Sequence, residues 1–151
     1  MQQIKETLYQ HCLSFIEQRI QTAETALDQA REASNDDTKS SAGDKYETSR
    51  EMMQQEIDRN KRLLIDAEEN LRILKAIDIT PNPLGVVRHG SLVETNQGAF
   101  YISVSAGQLA VDGNSIFAVS PASPIGKILL NKKKGSKFDF NSRDYTINNV
   151  I

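Results

Sequence analysis

Four carboxylates near the middle of the first half are the residues whose type and spacing could do chemistry: Asp36, Asp37, Asp44 and Glu47. Magnesium takes oxygen ligands and often only one or two of them from protein. Carboxylates on a projecting loop could therefore complete a magnesium site that belongs to another molecule. The alternative is that they cap two helix ends and solvate a loop, and charge and spacing alone favour this alternative.

The thiol and imidazole groups do not suggest an active site. His11 and Cys12 are neighbours, so on a helix their side chains point about 100° apart and do not face each other. Cys12 is therefore expected at the flank of the helix, and His89 is expected to be a structural or exposed strand residue. One cysteine and two histidines do not form a compact zinc set. We predict no catalytic residue, no cofactor and no metal held by the free protein, which is therefore not an enzyme itself.

A run of lysines stands in the second half, at positions 132, 133, 134 and 137. Such a cluster can contact phosphates or an acidic protein face, and it can equally be a solvated turn. Residues 1–78 hold 11 Lys/Arg and 16 Asp/Glu, a net charge of −5, and residues 79–151 hold 7 and 4, a net charge of +3. This asymmetry is a weak signal for nucleic acid, so a weak contact with DNA or RNA stays open.

The first half of the chain carries a heptad pattern on each side of a break at residues 34–44. The apolar seam alternates four and three residues apart, the spacing by which two helices pack side by side. It comprises Tyr9, Leu13, Ile16, Ile20, Ala23, Leu27 and Ala30, and then Tyr46, Arg50, Met53, Ile57, Asn60, Leu64, Ala67, Leu71 and Leu74, of which Arg50 and Asn60 are polar exceptions. The pattern predicts an antiparallel coiled-coil hairpin over residues 1–78, with helices from near Gln3 to near Ala33 and from Gly43 or Asp44 onward.

After a stiff Pro/Gly connector at residues 80–85, the pattern changes to the period of two that is typical of strands. Strands are predicted at 86–93, 99–104, 109–111, 115–119, 137–140 and 145–151. Ser123 and Pro124 predict the start of one short helix, which runs to Leu130. The fold class is therefore α+β, with a small antiparallel sheet domain over residues 79–151.

The 151 residues include no apolar run of the length that a membrane span needs and no apolar signal-peptide core. The single cysteine agrees with a reducing compartment. We expect a cytoplasmic protein without a membrane partner or a small-molecule substrate.

Two stretches resemble motifs of the bacterial Gre-type transcript cleavage factors. Ala30-Arg31-Glu32, then the break, then Tyr46 to Glu51 is similar to the family's A-R-E, acidic tip and E-Y-x-x-A-R-E. The stretch from Ser123 to Lys132 is similar to its S-P-I-x-x-x-L-I-G-K, which is the more specific match. The order of a coiled coil and then a small sheet domain is also that of the family, so the likeness covers nearly the whole chain.

The resemblance implies an FKBP-like sheet domain that docks on RNA polymerase at the rim of its secondary channel, while the coiled coil enters that channel. It implies transcription elongation regulation, with polymerase contacts at the motif positions Ser123, Pro124, Ile125, Lys127 and Lys132. In the family, an Asp and a Glu at the tip help to hold the second magnesium ion of the polymerase, which itself hydrolyses backtracked RNA.

The tip departs from the family pattern D-x-x-E-N-A-E-Y. Counted back from Tyr46, the Asp falls on Lys39 and the Glu on Ala42, whereas counted forward from Glu32 the Asp falls on Asn35. The tip is thus longer by about four residues, and Asp36 and Asp37 are its nearest substitutes. We therefore expect channel binding with little or no stimulation of cleavage. The alternative is a coiled-coil interaction or scaffold protein that does not enter the polymerase.

Overall fold

The computed structural model describes the backbone of residues 2–37 and 43–151 and the side chains of residues 3–33 and 48–151. The chain divides into two compact units. The helical unit is Ile16–Leu71, and the sheet unit combines Met1–Phe15 with Arg72–Ile151. The predicted domain boundary after residue 78 stays a prediction.

Two long helices dominate the first half: α1 spans Gln2–Asp37 and α2 spans Gly43–Lys75. The start of α2 agrees with the prediction, but the end of α1 near Ala33 was wrong, because the helix continues through Ser34 to Asp37. Ser, Asn and Asp cost only a few tenths of a kcal/mol each relative to good helix formers, so they do not by themselves end a helix.

Within the helical unit, the least exposed side chains follow the predicted seam. Ile16, Ala23 and Leu27 are buried on α1, and Ile57, Asn60 and Ala67 are buried on α2. Arg50, by contrast, is exposed although it lies in seam register. The buried Asn60 donates its Nδ2 to the carbonyl oxygen of Glu56 at 2.9 Å, so its polar group is satisfied within its own helix.

The second half forms one six-stranded sheet in the order β3-β4-β2-β1-β6-β5, and a short helix, α3, spans Pro124–Leu129. The strands are β1 Leu92–Thr95, β2 Gly98–Ile102, β3 Gly107–Val111, β4 Asn114–Val119, β5 Lys137–Phe140 and β6 Arg143–Val150. The predicted short helix, its Ser123 cap and the hairpin turn at Asp112 and Gly113 are confirmed.

The sheet is mixed, so the prediction of a purely antiparallel sheet was wrong. Strand β4 lies between β3 and β2 and runs parallel to β2, with Phe100 opposite Phe117. After β2 the chain passes over one strand position to form β3 at the edge, and the hairpin then returns β4 into the gap. A strand that returns in this way must run in the direction of β2, and the period-two pattern carries no information on such pairing.

The predicted strand at 86–93 was also wrong over most of its length. Val86 makes only an isolated bridge with Lys133, and β1 starts at Leu92. Gly90 interrupts the strand with a φ of 98°. A Cβ at this position would lie 2.7 Å from the carbonyl oxygen of Asp78, so the close approach of the two segments requires glycine and bends the chain there.

Both faces of the sheet are covered. One face carries the core cluster, in which Ile125 and Leu129 of α3 join strand residues such as Phe100, Tyr145 and Ile147. Alternate residues of the same strands are buried on the other face, among them Leu92, Tyr101, Ile116 and Ala118. The N-terminal part of α1 lies on this second face, since Ile4 lines a groove with Leu92 and Ile116 and Cys12 contacts Ser103.

Candidate partner-binding surface

The segment that precedes α3 is built as a capped helix start. The Ser123 hydroxyl accepts the backbone N–H of Gly126 at 3.1 Å and donates to the carbonyl oxygen of Ser120 at 2.6 Å. Pro124 occupies the first turn, where its missing N–H costs nothing. These bonds fix the start and the direction of α3 within the sheet unit.

Gly126 is required for the same turn. A Cβ on this residue would overlap the carbonyl oxygen of Ser120 and would lie 2.9 Å from the Ser123 hydroxyl oxygen. The Ser-Pro-Ile-Gly sequence is therefore a packing solution: one hydroxyl caps the helix, and one glycine lets residues 120–121 cross close to it.

The structure separates the five predicted contact residues by their access to solvent. Pro124 and Lys127 are exposed, and Ser123 and Lys132 are half-buried. Ile125 is only 8% exposed and belongs to the core cluster. The side chains that a partner can reach are thus Pro124, Lys127 and part of Lys132, whereas Ile125 can act only by anchoring α3.

The segment of the chain that contains this helix is basic. Residues 113–138 contain five lysines and no Asp or Glu. Lys127, Lys133, Lys134 and Lys137 are exposed, and the structure records no ion pair between any of the five lysines and a described residue. Unpaired positive charge of this density favours a negatively charged partner.

The four predicted tip carboxylates lie at the helix ends that face the break. Asp36 and Asp37 belong to the last turn of α1, and Asp44 and Glu47 belong to the first turns of α2. Their side chains lie outside the part of the chain whose side chains the structure describes. Their role at a magnesium ion therefore stays a prediction.

The thiol, imidazole and phenol groups of Cys12, His89 and Tyr101 lie inside the fold or contact its backbone. Cys12 is fully buried, and burial raises the pKa of its thiol although the Ser103 hydroxyl bond opposes this. His89 places Nε2 3.2 Å from the carbonyl oxygen of Ser103. The Tyr101 hydroxyl is buried without a hydrogen-bond partner, and burial raises its pKa strongly.

The described residues contain no group of three or more His, Cys, Asp or Glu placed to hold a metal ion. Within the same residues, no helix is long and apolar enough to cross a membrane. No protein-family model matches the chain, and no curated protein sequence matches it either.

Proposed function

We propose that this protein binds bacterial RNA polymerase and regulates transcript elongation in the manner of a Gre-type factor. The sheet unit docks at the rim of the secondary channel, and the two helices enter the channel as a coiled-coil hairpin. The observation that carries the proposal is the segment Ser123–Lys132. It is the stretch most similar to the Gre motif, and it presents Pro124 and Lys127 outward on a capped helix while Ile125 anchors it.

The heptad positions support the hairpin part of the proposal. Seam residues of the helical unit are mirrored about residue 40, so that the two numbers of each pair add up to 80. The pairs are Ile16 with Leu64, Ile20 with Asn60, Ala23 with Ile57, Leu27 with Met53, and Ala30 with Arg50. Every pair joins an a position of one helix to a d position of the other, as an antiparallel coiled coil requires, and a hairpin folded at residue 40 would bring them together.

The hairpin can be tested by a disulfide between Ala23→Cys and Ile57→Cys. The reach of a disulfide is short, with Cα atoms about 4.4–6.8 Å apart. The paired positions should therefore oxidise readily to an intramolecular bond, whereas Ala23→Cys with Asn60→Cys, one seam position out of register, should oxidise slowly. Equal oxidation of both pairs would contradict the mirrored register. The native Cys12 is fully buried and stays in place in both variants.

The reach of the helices fits an insertion role. The α1 segment from Ile16 to Asp37 has 22 residues, so it extends about 33 Å at 1.5 Å per residue. The chemistry at its end would be that of the polymerase, whose own magnesium ions activate water for phosphodiester hydrolysis. In this proposal the protein binds in the channel and modulates the activity of the polymerase, and it performs no reaction of its own.

Capture of the full chain by immobilised core RNA polymerase tests the docking step. We expect the wild type to be retained and the double variant Pro124→Ala, Lys127→Gln to be retained at least tenfold less. The control is Lys61→Gln, which removes an exposed lysine from α2. If neither the wild type nor the control is retained, the scaffold function is favoured. Equal retention of the wild type, the double variant and the control would show that the docking surface lies elsewhere than on α3.

A further inference from the structure

A tight turn follows α3 and displays the lysine run. We call residues 132–137 the lysine turn. Ser136 donates its backbone N–H to the carbonyl oxygen of Lys133 at 3.0 Å, and Gly135 has a φ of 89°. A positive φ at the third position of such a turn is typical of type II and calls for glycine. The Ser136 hydroxyl also accepts the N–H of Lys133 at 3.1 Å and closes the turn a second time.

The lysine turn is fastened to the sheet unit on both sides. Val87 donates its N–H to the carbonyl oxygen of Lys132 at 2.8 Å. On the other side Gly135 donates to the carbonyl oxygen of Ile147 at 2.7 Å, and Ile147 donates to that of Ser136 at 2.9 Å. The backbone that carries the lysines is therefore fixed, and only the side chains have to be ordered when a ligand binds.

The four lysines of the turn outnumber the two carboxylates on the adjoining strands β5 and β6. Lys133, Lys134 and Lys137 are exposed, Lys132 is half-buried, and none forms an ion pair with a described residue. The carboxylates on the adjoining strands are Asp139, two residues after Lys137 on β5, and Asp144, which lies opposite Asp139 on β6. The sheet unit as a whole has ten Lys/Arg and six Asp/Glu, a net charge of +4, in a chain whose net charge is −2.

We propose that the lysine turn is a binding surface for the phosphate backbone of duplex nucleic acid. The turn offers lysines only, without arginine, aromatic or aliphatic side chains, over residues 131–137. Protein interfaces are relatively poor in lysine and enriched in aromatic side chains, and single-stranded binding uses aromatic rings on which bases stack. A rigid turn that carries four ammonium groups meets the needs of phosphate neutralisation without base readout.

The number of phosphates that the lysines neutralise also sets the expected affinity and its dependence on salt. Each neutralised phosphate contributes a slope of about −0.9 in log K against log salt, so four lysines give at most about −3.6. Binding should be independent of sequence, with dissociation constants of about 1–100 μM at moderate salt. Lys132 is also one of the proposed polymerase contacts, but a duplex without polymerase suffices to test this surface, so the two proposals can fail independently.

Fluorescence anisotropy with a labelled duplex of about 20 base pairs, titrated at about 50 and 200 mM salt, measures the dissociation constant and its dependence on salt. The full-length variant Lys133→Gln, Lys134→Gln should weaken binding at low salt at least tenfold and should reduce the slope by about 2. The charge-matched control Lys61→Gln, Lys75→Gln removes two exposed lysines of α2 and should leave both unchanged. Both substituted lysines are exposed, and the hydrogen bonds of the turn involve backbone groups and not their side chains, so the melting temperature should not change.

Three results would overturn the proposal. The first is no binding at low salt with protein at about 100 μM. The second is an equal loss in both double variants, which would mean that net charge and not this surface is responsible. The third is equal competition by polyglutamate at matched charge, which would assign the surface to acidic protein.

Discussion

The Sγ atom of Cys12 lies 3.6 Å from the Oγ atom of Ser103, although 91 residues separate them along the chain. Both groups are buried, and Leu8, one helical turn earlier, is buried as well. The first helix is therefore not only an arm of the predicted coiled coil. Its N-terminal part is a structural layer of the sheet unit, since it covers the face of the sheet opposite α3.

This relationship predicts the effect of Leu8→Ala. The side chain is fully buried, and removal of a buried leucine side chain costs about 2–5 kcal/mol. We expect urea unfolding of the variant to show that loss when followed by tyrosine fluorescence, because Tyr9, Tyr101 and Tyr145 belong to the sheet unit. Gln10→Ala changes an exposed neighbour on the same helix and should stay within about 0.5 kcal/mol. Equal losses of stability in both variants would show that the N-terminal part of α1 does not form a layer on the sheet.

The helical unit offers a matched pair of isoleucines. Ile57 is 7% exposed and lies on the seam, whereas Ile65 is 63% exposed. Both are on α2, so Ile→Ala makes the same change in helix propensity at each site. We expect Ile57→Ala to destabilise by about 2–4 kcal/mol and Ile65→Ala to have little effect. Thermal melts followed by far-UV circular dichroism measure both, and a loss at Ile65 comparable to that at Ile57 would mean that the seam is not the buried stripe.

A cross-strand pair of carboxylates predicts a dependence on pH. Asp139 lies opposite Asp144 on β5 and β6. The hydrogen bond with Asp144 and its negative charge both raise the pKa of Asp139 above its usual value. Because folding raises this pKa, the contribution of Asp139 to stability is fully present below the unfolded-state pKa and is lost as the pH rises through the folded-state pKa.

Carboxyl NMR titration of the wild type and of Asp144→Asn tests this pair. The substitution removes the charge and offers an amide donor, so the pKa of Asp139 should fall toward or below its ordinary value. Asp112→Asn, in the turn between β3 and β4, serves as the control and should leave it unchanged. An unaltered pKa of Asp139 in the Asp144 variant would show that the two carboxylates do not interact in solution.

Local signals in the sequence predicted the local features. Ser123 and Pro124 specified the start of α3, and Asp112-Gly113 specified the hairpin turn, in which both residues have a positive φ of 52° and 78°. The end of α1 was missed because Ser34 to Asp37 continue the helix, and two other missed features depend on distant parts of the chain. Gly90 breaks a strand-like stretch because it lies against the Asp78 carbonyl, and the parallel pairing of β2 with β4 follows from the path of the chain.

At the candidate surface, too, the sequence predicted local features and missed those that depend on tertiary contacts. The motif around Ser123 predicted the capped start of α3, but its residue types did not show that Ile125 points into the core while Pro124 and Lys127 stay exposed. The lysine run was visible in the sequence. The turn that makes it rigid was not, since it depends on hydrogen bonds to Val87 and Ile147.

The last prediction concerns the acidic tip. A carboxylate must bring an oxygen to about 2.1 Å from magnesium in near-octahedral geometry. The tip is about four residues longer than the Gre pattern, and a misplacement of about 1 Å can cost about a hundredfold in rate. We therefore expect wild-type protein to release RNA from backtracked complexes at close to the background rate.

The variant Asp36→Asn, Asp37→Asn keeps the size of both side chains and removes their charge, so its cleavage rate with magnesium should equal that of the wild type. The companion Asp44→Asn, Glu47→Gln makes the same change on the α2 side of the break and should also match. Because channel binding does not require these carboxylates in this proposal, all three proteins should compete equally for polymerase. Rapid cleavage by the wild type that only the Asp36 and Asp37 changes abolish would show that the longer tip does place a carboxylate on the metal.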